Sequence, residues 1–334
     1  MAKRFKAKYD TGDVLAMYRQ KLSNEDEMRL RNTTELLRTY CNLEHAVHIP
    51  AEYRAITREI RTPYLRDAWS RIAASLVSKP PVVQVTPKDE NRREYRDASA
   101  DASRFFAAMM TRLSKQTGSD AIYDSTSALV RDGESVLKLV HIPNAWGNFP
   151  ASTGAPDEDM GKVLKSQEDY KKSQDLPFAW RVVDRLSCVF GDGEFGDDWA
   201  IEYGEYPMAY AKGKYGFSIG EDGRLYDPKR VTGGMPHSEG MGAGPGRFVK
   251  VEFWDKDEWH VICDGTPAPN WPKANPYSPY IPLFRAKGHQ SESLLYSLMY
   301  LVPRLDELLT MKLNWAFLGS YPNPVIETVP TQQS

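Results

Sequence analysis

The sequence is poor in the features that make a protein easy to classify. Its three cysteines, Cys41, Cys188 and Cys263, are odd in number and widely spaced, with no Cys-x-x-Cys. That argues against a disulfide framework or a zinc ribbon and fits a reducing compartment. No charge of one sign dominates: the formal net charge is −2. A chain that grips nucleic acid along its length carries a basic excess, so any contact with DNA must be local or weak. Long apolar runs are missing as well. The longest, Leu294 to Val302, is too short to cross a bilayer and is followed by Arg304, Asp306 and Glu307. Lys3, Arg4, Lys6 and Lys8 open the chain with no apolar run behind them, so no signal peptide is expected.

Catalytic signatures are equally scarce. The chain has no Walker motif, no His-Glu-x-x-His and no Gly-x-Ser-x-Gly. Its one glycine-rich stretch, Gly233 to Gly246, ends in Arg247 and Phe248 rather than Gly-Lys-Ser, and is expected to be a flexible loop.

What the chain does have is pattern. Asp13 to Gln20 and Glu25 to Val47 have helical composition without a breaker before Pro50. Leu65, Ala68, Trp69, Ile72 and Leu76 share one helical face, in a helix stopped by Pro80 and Pro81. Tyr95, Ala98, Ala102, Phe105, Phe106, Met109 and Leu113 form the stripe of a second helix, ending near Gly118. A third spans about Ser119 to Asp132, with Gly133 placed for a left-handed stop, and Ser135 to Ile142 reads as a strand. Residues 144–177 are polar, without apolar period, and are expected to be a surface insertion. Ala179 to Asp184, Cys188 to Phe190 and Trp199 to Tyr203 are short strand candidates. Val249, Val251 and Phe253 alternate with Lys250 and Glu252, turn at Asp255 to Asp257, and return through Trp259, Val261 and Cys263 as a hairpin. A proline-rich stretch, Pro267 to Pro282, is expected to wrap the surface. Ser291 to Leu318 predicts a long helix, kinked by Pro303, with Leu294, Leu298, Leu301, Leu305 and Leu308 as a seam against another helix. The fold class is α+β: helices, then antiparallel sheet, then a helix.

Four constellations are chemically suggestive. Cys41, His45 and His48, at i, i+4 and i+7 of a helix, would put three zinc-compatible ligands on one face, or simply a face against a neighbour. Asp192, Glu194, Asp197 and Asp198, with Asp184 nearby, could hold Mg²⁺ for phosphoryl chemistry, yet the local Gly-Asp-Gly-Glu-Phe-Gly-Asp-Asp is also turn chemistry. Arg54, Arg58 and Arg61 form a basic stripe for phosphates, for an acidic neighbour or merely for solvent. The scattered histidines offer no Ser/His/Asp set.

The order of segments says more than any one of them. The helix Arg61 to Lys79 ends in Pro-Pro and a valine-rich run. Ala128-Leu129-Val130-Arg131-Asp132-Gly133-Glu134 then leads into Ser135 to Val140. Trp180-Arg181-Val182-Val183-Asp184-Arg185-Leu186 follows, then the hairpin, then Tyr280-Ile281-Pro282-Leu283-Phe284 before the helix opening at Gln290-Ser291-Glu292-Ser293-Leu294 and running toward Tyr321-Pro322-Asn323-Pro324. This progression, from about Arg54 onward, resembles the wing region of portal proteins, the head-to-tail connectors of tailed bacteriophages. The resemblance implies a non-enzymatic structural protein without cofactor. It implies a homo-oligomeric ring, a dodecamer, at one capsid vertex of the virion, assembled in the host cytoplasm. Its partners would be the major capsid protein, the terminase large subunit, and head-completion or adaptor proteins. Double-stranded DNA would pass through without sequence-specific binding, and no membrane is involved. It divides the chain into an N-terminal helical arm (1–50), a wing core (51–290), a long kinked helix (291–320) and an extended tail (321–334), with stem and clip not evident. Subunit contacts fall to Leu294, Leu298, Leu301, Leu305, Leu308, Arg54, Arg58 and Arg61. Two other readings stand beside it: a metal-dependent phage nuclease using residues 192–198, and another connector or minor capsid protein.

Overall fold

The computed structural model describes residues 7–49, 59–78, 83–118, 120–142, 160–173, 176–194, 196–219, 225–226, 246–288 and 292–320. The fold is α+β. Helix α1 (Thr11–Leu22) starts on a reciprocal capping box between Asp10 and Asp13, and α2 (Glu25–Cys41) on the Asn24 side chain. Helices α3 (Tyr64–Leu76), α4 (Arg93–Thr117) and α5 (Ala121–Asp132) follow. Gly118 (φ 66°) and Gly133 (φ 78°) close the last two in the left-handed region, where a Cβ would be strained. Gly133 also accepts the Gly288 amide at 2.8 Å, a backbone approach that side chains would obstruct.

The chain then alternates strand and short helix: β1 (Glu134–His141), α6 (Met160–Ser173), β2 (Phe178–Val183), a 3₁₀ turn (Arg185–Ser187), β3 (Cys188–Gly193), β4 (Gly196–Pro207) and α7 (Met208–Tyr210), which runs into a π turn. Strands β5 (Ser218–Ile219), β6 (Leu225–Tyr226), β7 (Arg247–Asp255), β8 (Glu258–Cys263), β9 (Thr266–Pro267), β10 (Lys273–Ala274) and β11 (Leu283–Lys287) lead to α8 (Tyr296–Met299) and α9 (Leu301–Ser320). One antiparallel sheet has the order β10-β8-β7-β4-β3, with β9 on β8. A smaller one has the order β11-β1-β2, and β5 pairs with β6 alone.

Strand alternation assigns each face of the large sheet a partner. Val189, Ile201, Val251, Phe253 and Ile262 face α1, packing on Val14, Leu15 and Tyr18. Cys188, Phe190, Ala200 and Trp254 face the small sheet through Val136, Val183 and Leu283. A third core joins Leu37 and Cys41 of α2, Leu65 of α3 and Val130 of α5 to Leu295, Met299 and Val302. Burying a side chain of the Phe253 or Leu295 class stabilises by about 2 kcal/mol each, so these three cores fix the layering.

Several expectations change. Within residues 1–50, expected as an N-terminal helical arm, α1 and α2 contribute Val14, Leu15, Leu37 and Cys41 to the buried cores. The Lys8 and Tyr9 amides are further tied to the buried Glu258 carboxylate. The span 144–177 contains α6, built from Lys, Gln, Glu and Leu, whose helix propensity needs no apolar stripe. Met160 and Leu164 of α6 are exposed. Along α4, Leu113 is buried while Tyr95, Phe105 and Phe106 of the expected stripe are exposed. The proline-rich stretch holds buried Ala268 and Asn275, so it is stitched in rather than draped. The expected bend of the last helix is present and falls at Tyr300, because Pro303 has no amide to offer the Met299 carbonyl. Of the glycine-rich loop 233–246, only Gly246 belongs to the described residues, and the tail 321–334 lies outside them.

Candidate functional site

The C-terminal helix is built inside out. Its inward face is polar: Asp306 is 0% and Thr310 2% exposed. Asp306 receives His45 Nε2 at 2.7 Å on one oxygen, and the Thr62 amide (3.1 Å) and hydroxyl (2.5 Å) on the other. Thr310 Oγ1 accepts the Ile60 amide at 3.0 Å. The outward face is apolar: Leu301 is 63%, Leu308 64% and Trp315 82% exposed, with Leu305 and Met311 between them. Arg304 and Lys312 are the exposed charges among these positions. At 3.6 residues per turn this face covers an arc of roughly 120°. Surface helices ordinarily bury their apolar stripe and expose their polar one; an exposed patch of this kind marks a contact surface.

The expected leucine seam is thus divided. Leu298 packs partly into the third core, while Leu294, Leu301, Leu305 and Leu308 point away from it. The inward apolar positions are Leu295, Met299 and Val302, each beside an expected one.

The zinc-compatible trio does not form a face. Helix α2 ends at Cys41, and Leu43 turns the chain through φ 61°. His45 is then buried on Asp306 and His48 is exposed. Burial pushes the Cys41 thiol up to about 11, which opposes thiolate formation. Among the described residues no group of three or more His, Cys, Asp or Glu is arranged to hold a metal.

Asp192, Asp197 and Asp198 of the acidic cluster are held by neighbouring cations, while Glu194 is exposed. Asp192 takes Lys21 at 2.8 Å and Arg285 at 2.7 Å, with Lys287 at 3.4 Å; Asp197 is held by the same Arg285 guanidinium. Asp198 faces Lys256 at 3.6 Å, and Asp184 is held by Arg38. Burial acts against the Asp192 charge, but Lys21 and Arg285 outweigh it and hold the carboxyl well below its usual range. The local sequence does make a turn, since the β3–β4 hairpin closes between Gly193 and Gly196. Of the basic stripe, Arg54 and Arg58 lie outside the described residues. Arg61 sits on a non-helical stretch, bound to the Leu43 carbonyl (3.1 Å) and Glu59 (2.7 Å), so it does not continue a helical stripe.

Two buried ionic networks have no counterpart in the sequence reading. Between the sheets, Lys138 of β1 reaches Glu202 of β4 and Glu252 of β7. Lys250 bonds Glu252 at 2.9 Å and Arg181 bonds Glu202. Arg185 is clasped by Glu27 and Glu134 beneath a cleft of about 410 Å³, whose walls include Asp192, Arg285 and Tyr296. These groups are spent on each other. No helix among the described residues is long and apolar enough to cross a membrane.

No family model matches this chain, and no curated protein matches it.

Proposed function

We propose that this chain is a structural subunit of the portal kind: one member of a homo-oligomeric ring at a capsid vertex, through which double-stranded DNA is packaged and ejected. The observation that carries the reading is the outward leucine face of α9. A helix that hides Asp306 and Thr310 while showing Leu301, Leu305, Leu308 and Trp315 is built for association. Segment order supports the conduit half, since helix, strand, hairpin and bent helix follow one another as in the portal wing. The near-neutral charge suits a channel, because each neutralised phosphate would add salt-dependent affinity and slow translocation. In this reading the partners are further copies of the chain, the major capsid protein, the terminase large subunit and adaptor proteins. A nuclease built on Asp192 and Asp197 is disfavoured, because those carboxylates are bound by Lys21 and Arg285.

Negative-stain microscopy of the purified chain tests the proposal. Rings with a central hole, twelvefold in projection, are expected. A strict monomer at every concentration would overturn it, and metal-dependent DNA cleavage abolished by Asp197→Ala would replace it with the nuclease.

A further inference from the structure

We infer that the outward face of α9 docks on the outward face of α2 in a second copy of this chain. The inference rests on the ring reading above and specifies the two surfaces that meet.

The α9 face carries two cations, Arg304 and Lys312, around Leu305 and Leu308, and has no acid within it. Two such faces cannot pair with each other. In an antiparallel arrangement Arg304 would lie against Lys312, and in a parallel one each cation would meet its own copy. Like charges desolvated together oppose association. An isologous contact through α9 is therefore disfavoured, and the partner must be a different surface, apolar and acidic.

The exposed face of α2 has those properties. Glu25, Met28, Asn32, Glu35 and Leu36 recur at spacings of three and four, so they share one side of the helix, and all are exposed; Arg29 is exposed beside Glu25 on the same side, so the face keeps an acidic excess of one. The opposite side of α2, with Leu37 and Cys41, is already in the third core. The spacing also matches. Arg304 and Lys312 are about 12 Å apart along their axis, and Glu25 and Glu35 about 15 Å along theirs, at 1.5 Å per residue. In each face the apolar side chains lie between or beside the charges. Helix α4 is the competing surface, with Tyr95, Phe105 and Phe106 exposed. Its cations, however, outnumber its acids, and Asp97 and Asp101 are already paired with Arg93 and Arg104. It has no acidic excess to offer. Because α2 and α9 are different surfaces of one subunit, the contact can repeat from copy to copy until it closes, as a ring requires.

Charge exchange in the full-length chain tests the pairing, read by analytical ultracentrifugation with circular dichroism as the folding control. Arg304→Glu with Lys312→Glu is expected to weaken assembly by about tenfold or more, and Glu25→Lys with Glu35→Lys to do the same, with melting unchanged. All four substitutions in one chain should restore assembly, as should mixing the two doubly substituted proteins, which then alternate. If the wild type assembles and the α2 variant assembles equally well, the pairing is wrong while the ring reading stands. If the four substitutions together fail to restore assembly in a folded chain, the pairing is likewise overturned. A wild type that is monomeric throughout overturns both.

Discussion

At the scale of single residues, the molecule keeps several charges where a protein of ordinary design would keep leucines. Glu252 is the clearest. Burial alone would raise its carboxyl, but Lys250 and Lys138 outweigh that and hold it down at about 2. Burial works against the Lys250 charge too, and Glu252 lifts it well above its usual value nonetheless. The sign follows. A carboxyl whose folded value lies below its unfolded one contributes stability in full above about pH 4.5, and loses it as pH falls toward 2. The contribution is on the order of 3 kcal/mol. Denaturant midpoints measured from pH 6 to pH 2.5 should fall steeply in the wild type. Glu252→Gln should start lower and fall less. Asp306 is the second case. Asp306→Ala would leave His45 and Thr62 facing an empty, dry site, and should cost about 3 kcal/mol or more in urea unfolding. Asp306→Asn, which keeps an acceptor for the Thr62 amide, should cost less.

At the scale of elements, legibility in the sequence depended on whether the signal was local. The stop of α5 at Gly133, the Val249–Cys263 hairpin and the break ahead of Pro303 were all readable, because each depends on a few neighbouring residues with fixed backbone demands. The faces were not readable to the same degree. Leucine periodicity in α9 revealed an apolar stripe, yet periodicity carries no information on which side meets the core. That was decided by His45 and Thr62, far away in the chain. Likewise Lys250 and Glu252 alternate with valine as they would on a strand with one wet side. Lys138, the second cation on Glu252, lies on another sheet, so only assembly of the two sheets reveals that this side is dry. The metal trio failed for a local reason instead, because the helix ends at Cys41 before the histidines begin. For α9 the consequence is measurable. Leu301→Ser with Leu308→Ser should leave the melting of the isolated subunit within about 0.5 kcal/mol of wild type, because both side chains are more than half exposed. The same variant should lose its higher-order species in sedimentation. A large drop in subunit stability would mean that the face is already covered.

At the scale of the whole molecule, four apolar clusters and the buried ionic networks tie the layers to one another. Helix α1 covers the large sheet, and α8 and α9 close over α2, α3 and α5. The thiols of Cys41, Cys188 and Cys263 are buried and free, so nothing in this architecture calls on an oxidant.

Directional bonds hold α9 where greasy contact would let it roll. A leucine interface tolerates a helix turning a few degrees about its own axis, since one methyl replaces another. The two oxygens of Asp306 do not, because each has its own donor. The azimuth at which Leu301, Leu305 and Leu308 leave the surface is thereby indexed to the body, as a key indexes a shaft. In a closed assembly, the angle between the two mating faces of one subunit fixes how many subunits complete the circle. The stoichiometry would then be written in a buried aspartate that never touches a neighbour, and loosening Asp306 would yield rings of mixed number before it abolished them.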